Sequence, residues 1–254
     1  AAYQATDWLS VGGGLIVQMA DGVLDRYLSS GASARLSGRD FSLGYNVGVM
    51  LQPAEATRVG ISYRSEVNHK LEGRVFTTQA GLLSSTAEAD LNLPDMASFA
   101  VAHDFNDKWT GLFQATWTGW NDFQEIDPVR DDGRPASASV FNYQTTWAYA
   151  LGAEYHYDDK WTLRGGYQYD ESPAQDLNRS TVNPDGNRHW FSFGGTYTAN
   201  DTISLDFGVT YIDIEEEDVN TFHDGTGGLP EVNVRAINES ARVSIVSLGL
   251  NYKF

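Results

Sequence analysis

Five short polar turns, each followed at once by an alternating strand, constrain this chain more than any other feature. They read ATDWLSVG (5–12), PAEATRVG (53–60), FNDKWTGL (105–112), YDDKWTLR (157–164) and ANDTISLD (199–206). A small polar cluster supplies each bend, because Asn and Asp adopt turn dihedrals and hydrogen-bond their own backbone. The turns recur about 40 to 55 residues apart, a spacing too long for a meander with short loops at both ends. Each interval holds a strand, a longer polar segment and a returning strand. Short connections at one end and long ones at the other are the pattern of an outer-membrane barrel.

Alternation within the strands supports this fold class. Trp161, Leu163, Gly165, Tyr167 and Tyr169 share one face, and Thr162, Arg164, Gly166 and Gln168 the other. Ile203, Leu205, Phe207, Val209 and Tyr211 oppose Ser204, Asp206, Gly208 and Thr210 in the same way. The pattern predicts strands over 1–5 (partial), 8–19, 40–52, 57–70, 88–104, 108–122, 142–157, 160–171, 188–199, 202–214 and 236–254. Long loops are expected near 20–39, 71–87, 123–141, 172–187 and 215–235. Pro94 interrupts one strand, which marks an edge, a bulge or a bend. The expected fold is all-β: one antiparallel transmembrane barrel domain over 1–254. Trp109 and Trp117 share a phase and read as membrane-interface anchors, whereas Trp120 falls in the lumen phase.

Composition excludes several alternatives. The chain has 34 acidic and 17 basic residues, a net charge of -17, which opposes nucleic acid binding. There is no cysteine, and no apolar run reaches the roughly 20 residues of a membrane helix. A soluble barrel or sandwich also alternates, but it does not place aromatic residues regularly at both ends of its apolar face. The opening AAYQATDW carries no signal peptide, and residues 1–5 read as the tail of a strand. A mature chain truncated at its N-terminus is expected.

Four stretches go beyond architecture: ATRVGISYRSEVNHKLEG (56–73), LNLPDMASFAVAHDFNDKWTGLFQATWTGWNDFQEI (91–126), WAYALGAEYHYDDKWTLRGGYQYDESPA (147–174) and NRHWFSFGGTYTANDTISLDFGVTYI (187–212). Together they resemble the FadL/TodX family, outer-membrane carriers of long-chain fatty acids and other hydrophobic compounds. The resemblance implies a 14-stranded barrel plugged by an N-terminal hatch, of which this chain supplies ten full strands and a stub. The hatch and about three strands would then lie outside it. The ending SIVSLGLNYKF, finishing on Phe254, resembles the signal by which the barrel assembly machinery recognises its clients. A monomer in the outer membrane of a Gram-negative bacterium is expected.

No catalytic constellation and no metal-ligand spacing emerge, and no cofactor is implied. His69, His103, His156, His189 and His223 are scattered. A barrel hydrolase would need His and a carboxylate converging at one rim, for which His189 with Asp170 or Asp213 is the candidate pair. Transport needs an apolar path. The candidates are the lumen-phase residues Ile16, Met50, Leu112, Trp120, Trp190 and Ile212, which either form a binding pocket or pack against the hatch. Arg64 and Arg164 share that phase and either attract a carboxylate headgroup or pair with a lumen acid such as Glu154 or Asp206.

Two expected loops correspond, through the resemblance, to the family's external capture groove. In 21–36, Leu24, Tyr27 and Leu28 have helical spacing and predict an apolar stripe, which Phe76, Leu82 and Leu83 of 74–90 would face. Fatty-acid carriers can place basic residues where this chain has Asp21 and Gln144, which makes an alkane or aromatic cargo plausible. The acidic run DIEEEDVN (213–220) is expected in an outer loop, either solvated or bridged by divalent ions to lipopolysaccharide. The expected function is passive uptake of hydrophobic molecules. The rival is a general diffusion porin with a uniformly polar lumen.

Overall fold

The computed structural model describes residues 1–27, 33–77, 84–133, 139–176, 179, 184–223, 232–238 and 241–253. In chain order the first strands are β1 (Ala2–Thr6), β2 (Leu9–Tyr27), β3 (Ser33–Ala54), β4 (Thr57–Arg64), β5 (Val67–Thr77), β6 (Ser85–Leu93), β7 (Met96–Asp104) and β8 (Trp109–Thr118). An excursion follows, with a 3-10 turn at Trp120–Asp122 and the short strands β9 (Glu125–Ile126), β10 (Val129–Arg130) and β11 (Ser139–Val140). The wall resumes with β12 (Thr146–His156), β13 (Trp161–Asp170), β14 (Arg188–Thr198) and β15 (Ile203–Ile214). A separate hairpin, β16 (Glu217–His223) with β17 (Val232–Asn238), precedes β18 (Arg242–Tyr252).

All pairing among the described residues is antiparallel, and β4 with β5 and β6 with β7 each make one broken pass. The wall therefore has eleven passes, as the alternation predicts. β1 pairs with β2 alone and β18 with β15 alone among the described residues, so the wall is an open, curved sheet with two edges.

Residues in register share a face, and one row shows how the faces sort. Met50, Gly60, Ala100, Gln114, Ala150, Gln168, Trp190, Ile212 and Val243 are successive partners from β3 to β18. Their face is small and polar for most of its extent. The opposite face is apolar and uncovered: Leu15 is 88% and Leu248 85% exposed, with Leu43, Leu151 and Phe193 also bare. An apolar surface of this extent is stable against lipid and not against water. The sheet curls toward the polar face, since a methyl on Gly22 of β2 would lie 3.7 Å from Leu71 of β5, across the intervening β3. The polar face is the lumen.

Aromatic pairs bound the apolar face at both ends. Near the short turns Trp109 stacks on Tyr155 at 4.4 Å and Trp161 meets Tyr197 at 4.7 Å. Near the other end Trp117 is the register partner of Trp147, which stacks on Tyr149 at 5.9 Å. The eight residue steps from Trp109 to Trp117 cover about 26 Å of strand, or about 20 Å along the axis at a tilt near 40°.

Three short turns close identically. Asn106 Oδ1 accepts the amides of Lys108 and Trp109 at 2.9 and 3.1 Å. Asp158 holds Lys160 and Trp161 at 2.9 and 2.8 Å, and Asn200 holds Thr202 and Ile203 at 2.9 Å each. In these three the sequence repeat is an Asx turn.

Three expectations need correction. The segments expected as loops near 20–39 and 71–87 continue as strand, up to Tyr27 and from Ser33 in one case, and up to Thr77 and from Ser85 in the other. A cross-strand ion pair supports the first extension, Arg39 with Asp21 at 3.1 Å, and the β5–β6 ladder carries the second, from Leu71↔Ala89 to Val75↔Ser85. Leu24 and Tyr27 belong to β2, so the helical stripe does not form: an extended chain cannot align an i, i+3 pattern. The acidic run 213–220 lies in the end of β15 and the start of β16 rather than in a loop.

A paired bulge divides the wall. β3 meets β4 as Asn46↔Arg64 but β5 as Arg39↔Glu72, a one-residue slip at Ser65 and Glu66. Ser65 accepts the Tyr45 amide on its hydroxyl and donates its own amide to the Tyr45 carbonyl, both at 2.9 Å. Pro94 and Asp95 break the neighbouring pass at the same level, which fits a residue that cannot donate to a ladder. Above the break the inward phase is odd, so Val67, His69 and Val75 turn into the lumen and are buried with Ala87 and Ala89.

Candidate functional site

The lumen face is banded. At the end near the short turns lies a hydrogen-bonded polar belt. Arg58 pairs with Asp104 at 3.5 Å, and Asp104 accepts Thr110 Oγ1 at 2.6 Å. Further round, Arg164 donates to Glu154 at 2.6 Å and to Thr196 at 2.7 Å. Thr196 and Asn251 donate to Asp206 at 2.6 and 2.5 Å. Arg164 is therefore a structural partner of Glu154, one of the two roles its phase allows.

Above the belt the same face carries an apolar groove of about 570 Å³, in which Met50 and Leu112 are joined by Gly60, Ala100, Ala102 and Ala150. Met50 is 55% and Leu112 43% exposed on an otherwise polar face. A methyl group added at Gly60 would meet no atom of this chain within 4 Å. Small residues on the inward phase of adjacent strands make the groove: the large candidates were legible in the sequence, and Gly60, Ala100, Ala102 and Ala150 were not singled out there.

The other candidates disperse. Ile16 lies on the lumen face opposite Gly44. Trp190 and Ile212 are register partners forming a second apolar spot, with Ile212 buried and the Trp190 indole N–H without a partner among the described residues. Trp120 departs from the expectation. β8 ends at Thr118, and Trp120 sits in the 3-10 turn against Phe123 and Tyr143 at 6.2 and 5.7 Å. Strand parity does not reach it. Phe76 shares a phase with Lys70 and Arg74 on the outward side of β5 and is 43% exposed. Leu28, Leu82, Leu83 and Phe254 lie outside the described residues.

Arg64 stands on the lumen face, exposed, as the register partner of Asn46 and Met96. Arg58, Arg164 and Arg188 on the same face each meet a carboxylate, Arg188 with Asp170 at 3.2 Å and Asp185 at 2.5 Å. Arg64 meets none among the described residues. Neither Asp21, paired with Arg39, nor Gln144, whose amide donates to the Pro173 carbonyl, supplies a cation.

The rim opposite the short turns is a polar clamp around a cleft of about 430 Å³. Arg179, 3% exposed, donates to the carbonyls of Ala174 and Asp185 and to Asp176, and meets Glu217 at 3.3 Å. Burial pushes the Glu217 carboxyl up. Hydrogen bonds from His189 and then Asn187 hold Glu215 below its ordinary value. Three carboxylates of the acidic run are thus engaged within the protein, Asp213 through Arg242 at 3.4 Å.

The geometry offers no hydrolytic centre among the described residues. His189 bonds Glu215 and Tyr167, both at 2.8 Å, rather than Asp170 or Asp213. His156 lies between Thr162 and Glu154, each at 3.1 Å, the connectivity of a hydroxyl, an imidazole and a carboxylate. The neighbouring amides are already engaged, His156 N with Lys108 and Tyr157 N with Trp161, so neither is free to serve as an oxyanion donor. No group of metal-ligating side chains occurs among the described residues.

Comparison with known proteins agrees with this geometry. Residues 1–254 match the family described as outer membrane protein transport protein (OMPP1/FadL/TodX). The chain is similar to outer membrane protein P1 of Haemophilus influenzae, 31% identical over 91% of this chain and 52% of that protein. It is likewise similar to the long-chain fatty acid transport protein of Escherichia coli K12, 31% identical over 70% of this chain and 43% of that one. The chain spans about half the length of these curated relatives. Among solved structures, a Pseudomonas aeruginosa FadL homologue superposes with a TM-score of 0.84 at 24% identity, over 99% of this chain and 66% of that one. The Pseudomonas putida toluene transporter TodX superposes with a TM-score of 0.63 at 15% identity, over 99% and 67%. The chain belongs to the OMPP1/FadL/TodX family of outer-membrane transport proteins.

Proposed function

We propose that the protein of which this chain forms the wall takes up hydrophobic molecules, such as long-chain fatty acids, alkanes or aromatics, by passive ligand-gated diffusion. One observation carries this reading: an apolar groove around Gly60 and Leu112 lies on the lumen face directly above a hydrogen-bonded polar belt. A porin lumen has no use for such a surface, whereas a greasy cargo leaves water for it with a free-energy gain of about 25 cal/mol per Å² buried. The driving force is partition, with no nucleotide. The names of the E. coli and P. putida relatives are consistent with cargo of this class. A monomer, assembled by the barrel assembly machinery and surrounded by lipid and lipopolysaccharide, is part of the same proposal.

The test is uptake into liposomes by the full-length protein. Labelled oleate or toluene is expected to enter faster than sugars, and Gly60→Leu, whose Cβ meets no atom of this chain within 4 Å, is expected to slow it severalfold while the barrel stays folded. Sugar flux without hydrophobe flux would overturn the proposal.

A further inference from the structure

Resting on the placement of this wall in the outer membrane, we propose that Arg39 and Arg74, with Arg35 and the Ser37 hydroxyl between them, form a binding surface for the phosphates of lipopolysaccharide on the outward face of β3 and β5.

Height comes first. The outward residues of β3 run Val47, Tyr45, Leu43 and Phe41, all exposed and apolar, and then change to Arg39, Ser37 and Arg35. β2 changes at the same level, from Met19 to Asp21. At a tilt near 40°, Arg39 lies about 5 Å and Ser37 about 10 Å above Phe41 along the axis. The polar zone beside a hydrocarbon core begins there and is about 5 to 8 Å deep for phospholipid alone. Outward side chains at this level therefore meet headgroups. The short turns mark the periplasmic end, so the headgroups are those of the outer leaflet.

Register sets the cluster. Ser37 is the partner of Arg74, Arg39 of Glu72 and Arg35 of Phe76. Arg35 and Arg39 are thus the two diagonal neighbours of Arg74 on β3, each about 7–8 Å away between Cα atoms, with Ser37 between them. Arg74 is exposed and pairs with no acid among the described residues. Arg39 gives one nitrogen to Asp21 at 3.1 Å and keeps 70% of its side chain exposed. A phosphate accepts several such donors at once, and the planar guanidinium fork matches two of its oxygens.

The acids of this face leave the Ser37 row open. Asp21 and the opposed pair Glu72 and Glu88 share the row of Arg39, and Asp90 stands in the row below, opposite Lys70, which meets Glu88 at 2.5 Å. Asp25 is the register partner of Arg35 on the side away from β5. In the row of Ser37 and Arg74, Val23 and Thr86 complete the four strands, and the next acid along it, Asp131, is bound by the Thr86 hydroxyl. In a chain of net charge -17, three arginines around one hydroxyl reverse the local charge. Among the described residues the one other outward arginine at this end of the strands, Arg242, is held by Asp213 at 3.4 Å.

The experiment measures binding of lipid A to the full-length protein in detergent, by native mass spectrometry, for wild type, Arg74→Gln, Arg39→Gln and Arg74→Lys. Wild type is expected to retain bisphosphorylated lipid A, and Arg74→Gln and Arg39→Gln each to bind it about tenfold more weakly, the size of one lost charge-assisted contact. Arg74→Lys is expected to recover most of the affinity, and dephosphorylated lipid A to bind all four proteins equally weakly. Equal affinity of wild type for the two forms of lipid A, or Arg74→Gln binding as wild type does, overturns the assignment. Phosphatidylglycerol competing as well as lipid A assigns the surface to anionic lipid at large and overturns it too. Arg74 has no described ion pair to lose, so its variant tests the site even where Arg39→Gln, which leaves Asp21 alone, perturbs the fold. Uptake of oleate and toluene into liposomes should be the same for wild type and Arg74→Gln. Wild-type protein that moves neither compound overturns the transport reading and not the lipid site, so the two failures are distinct.

Discussion

Substituting arginine at neighbouring residues of β15 tests which face meets lipid. Val209 lies mid-strand on the apolar face, 49% exposed, between its register partners Phe193 and Val246. Thr210, the next residue, faces the lumen and shares a 3.0 Å hydrogen bond with Ser192. An arginine on the lipid face near the bilayer midplane costs about 2–4 kcal/mol, which for Val209→Arg lowers the folding equilibrium roughly 30- to 1,000-fold. Thr210→Arg loses one neutral hydrogen bond, about 1 kcal/mol, and its guanidinium reaches the aqueous lumen. Guanidinium unfolding of the full-length protein in phospholipid vesicles, followed by tryptophan fluorescence, measures both. Val209→Arg should show the lower midpoint. A Thr210→Arg variant as unstable as Val209→Arg, or more so, would refute the face assignment and with it the placement of the groove in the lumen.

Other predictions follow from single features. Asn106→Ala, Asp158→Ala and Asn200→Ala should each destabilise by about 1 kcal/mol, since each removes the acceptor of two turn amides, while Asp107→Ala stays within about 0.5 kcal/mol; unfolding midpoints give both numbers. Arg179→Ala removes a buried cation bonded to three carbonyls and two acids. It should loosen the rim clamp by about 3–5 kcal/mol locally, seen as faster limited proteolysis near that residue with the wall intact. Glu215 carries a depressed folded-state pKa, so its contribution is complete above its unfolded value of about 4.3 and is lost as pH falls through the lower folded value. Glu215→Gln should flatten the acid side of the rim's stability profile, measured by proteolysis between pH 5 and 3; an unchanged profile would assign that dependence elsewhere.

The passes were legible because the physics that sets them has a period of two. A strand between lipid and a lumen must alternate, so the even residues of β12 to β15 declare their face from the sequence alone. The alternation weakens where strands leave the bilayer and both faces become polar. Asp21 with Arg39 and Glu72 with Glu88 are register partners there, and the stretches 20–39 and 71–87 read as loops. Trp120 was assigned by parity carried two residues past the end of β8, where a 3-10 turn replaces the strand. The bulge at Ser65 and Glu66 leaves no mark that alternation can detect, apart from Pro94 in the neighbouring pass. Counting from Arg64, strict parity turns His69 outward, whereas the slip buries it at 2% exposure with Nδ1 3.0 Å from Asp40. The groove was half visible. Met50 and Leu112 stand out among polar neighbours, but an open volume depends on the smallness of Gly60 and the alanines across four strands, which only register reveals.

These 254 residues carry no cysteine, so each single substitution adds one thiol to them, read against the unsubstituted full-length protein. Leu112→Cys and Phe113→Cys place a thiol in the groove and on the lipid face, one residue apart on β8. In the full-length protein, saturating oleate or toluene should protect the thiol at position 112 from a small maleimide and leave the rate at position 113 unchanged. Equal rates at position 112 with and without cargo would contradict the lumen groove as the path of transport.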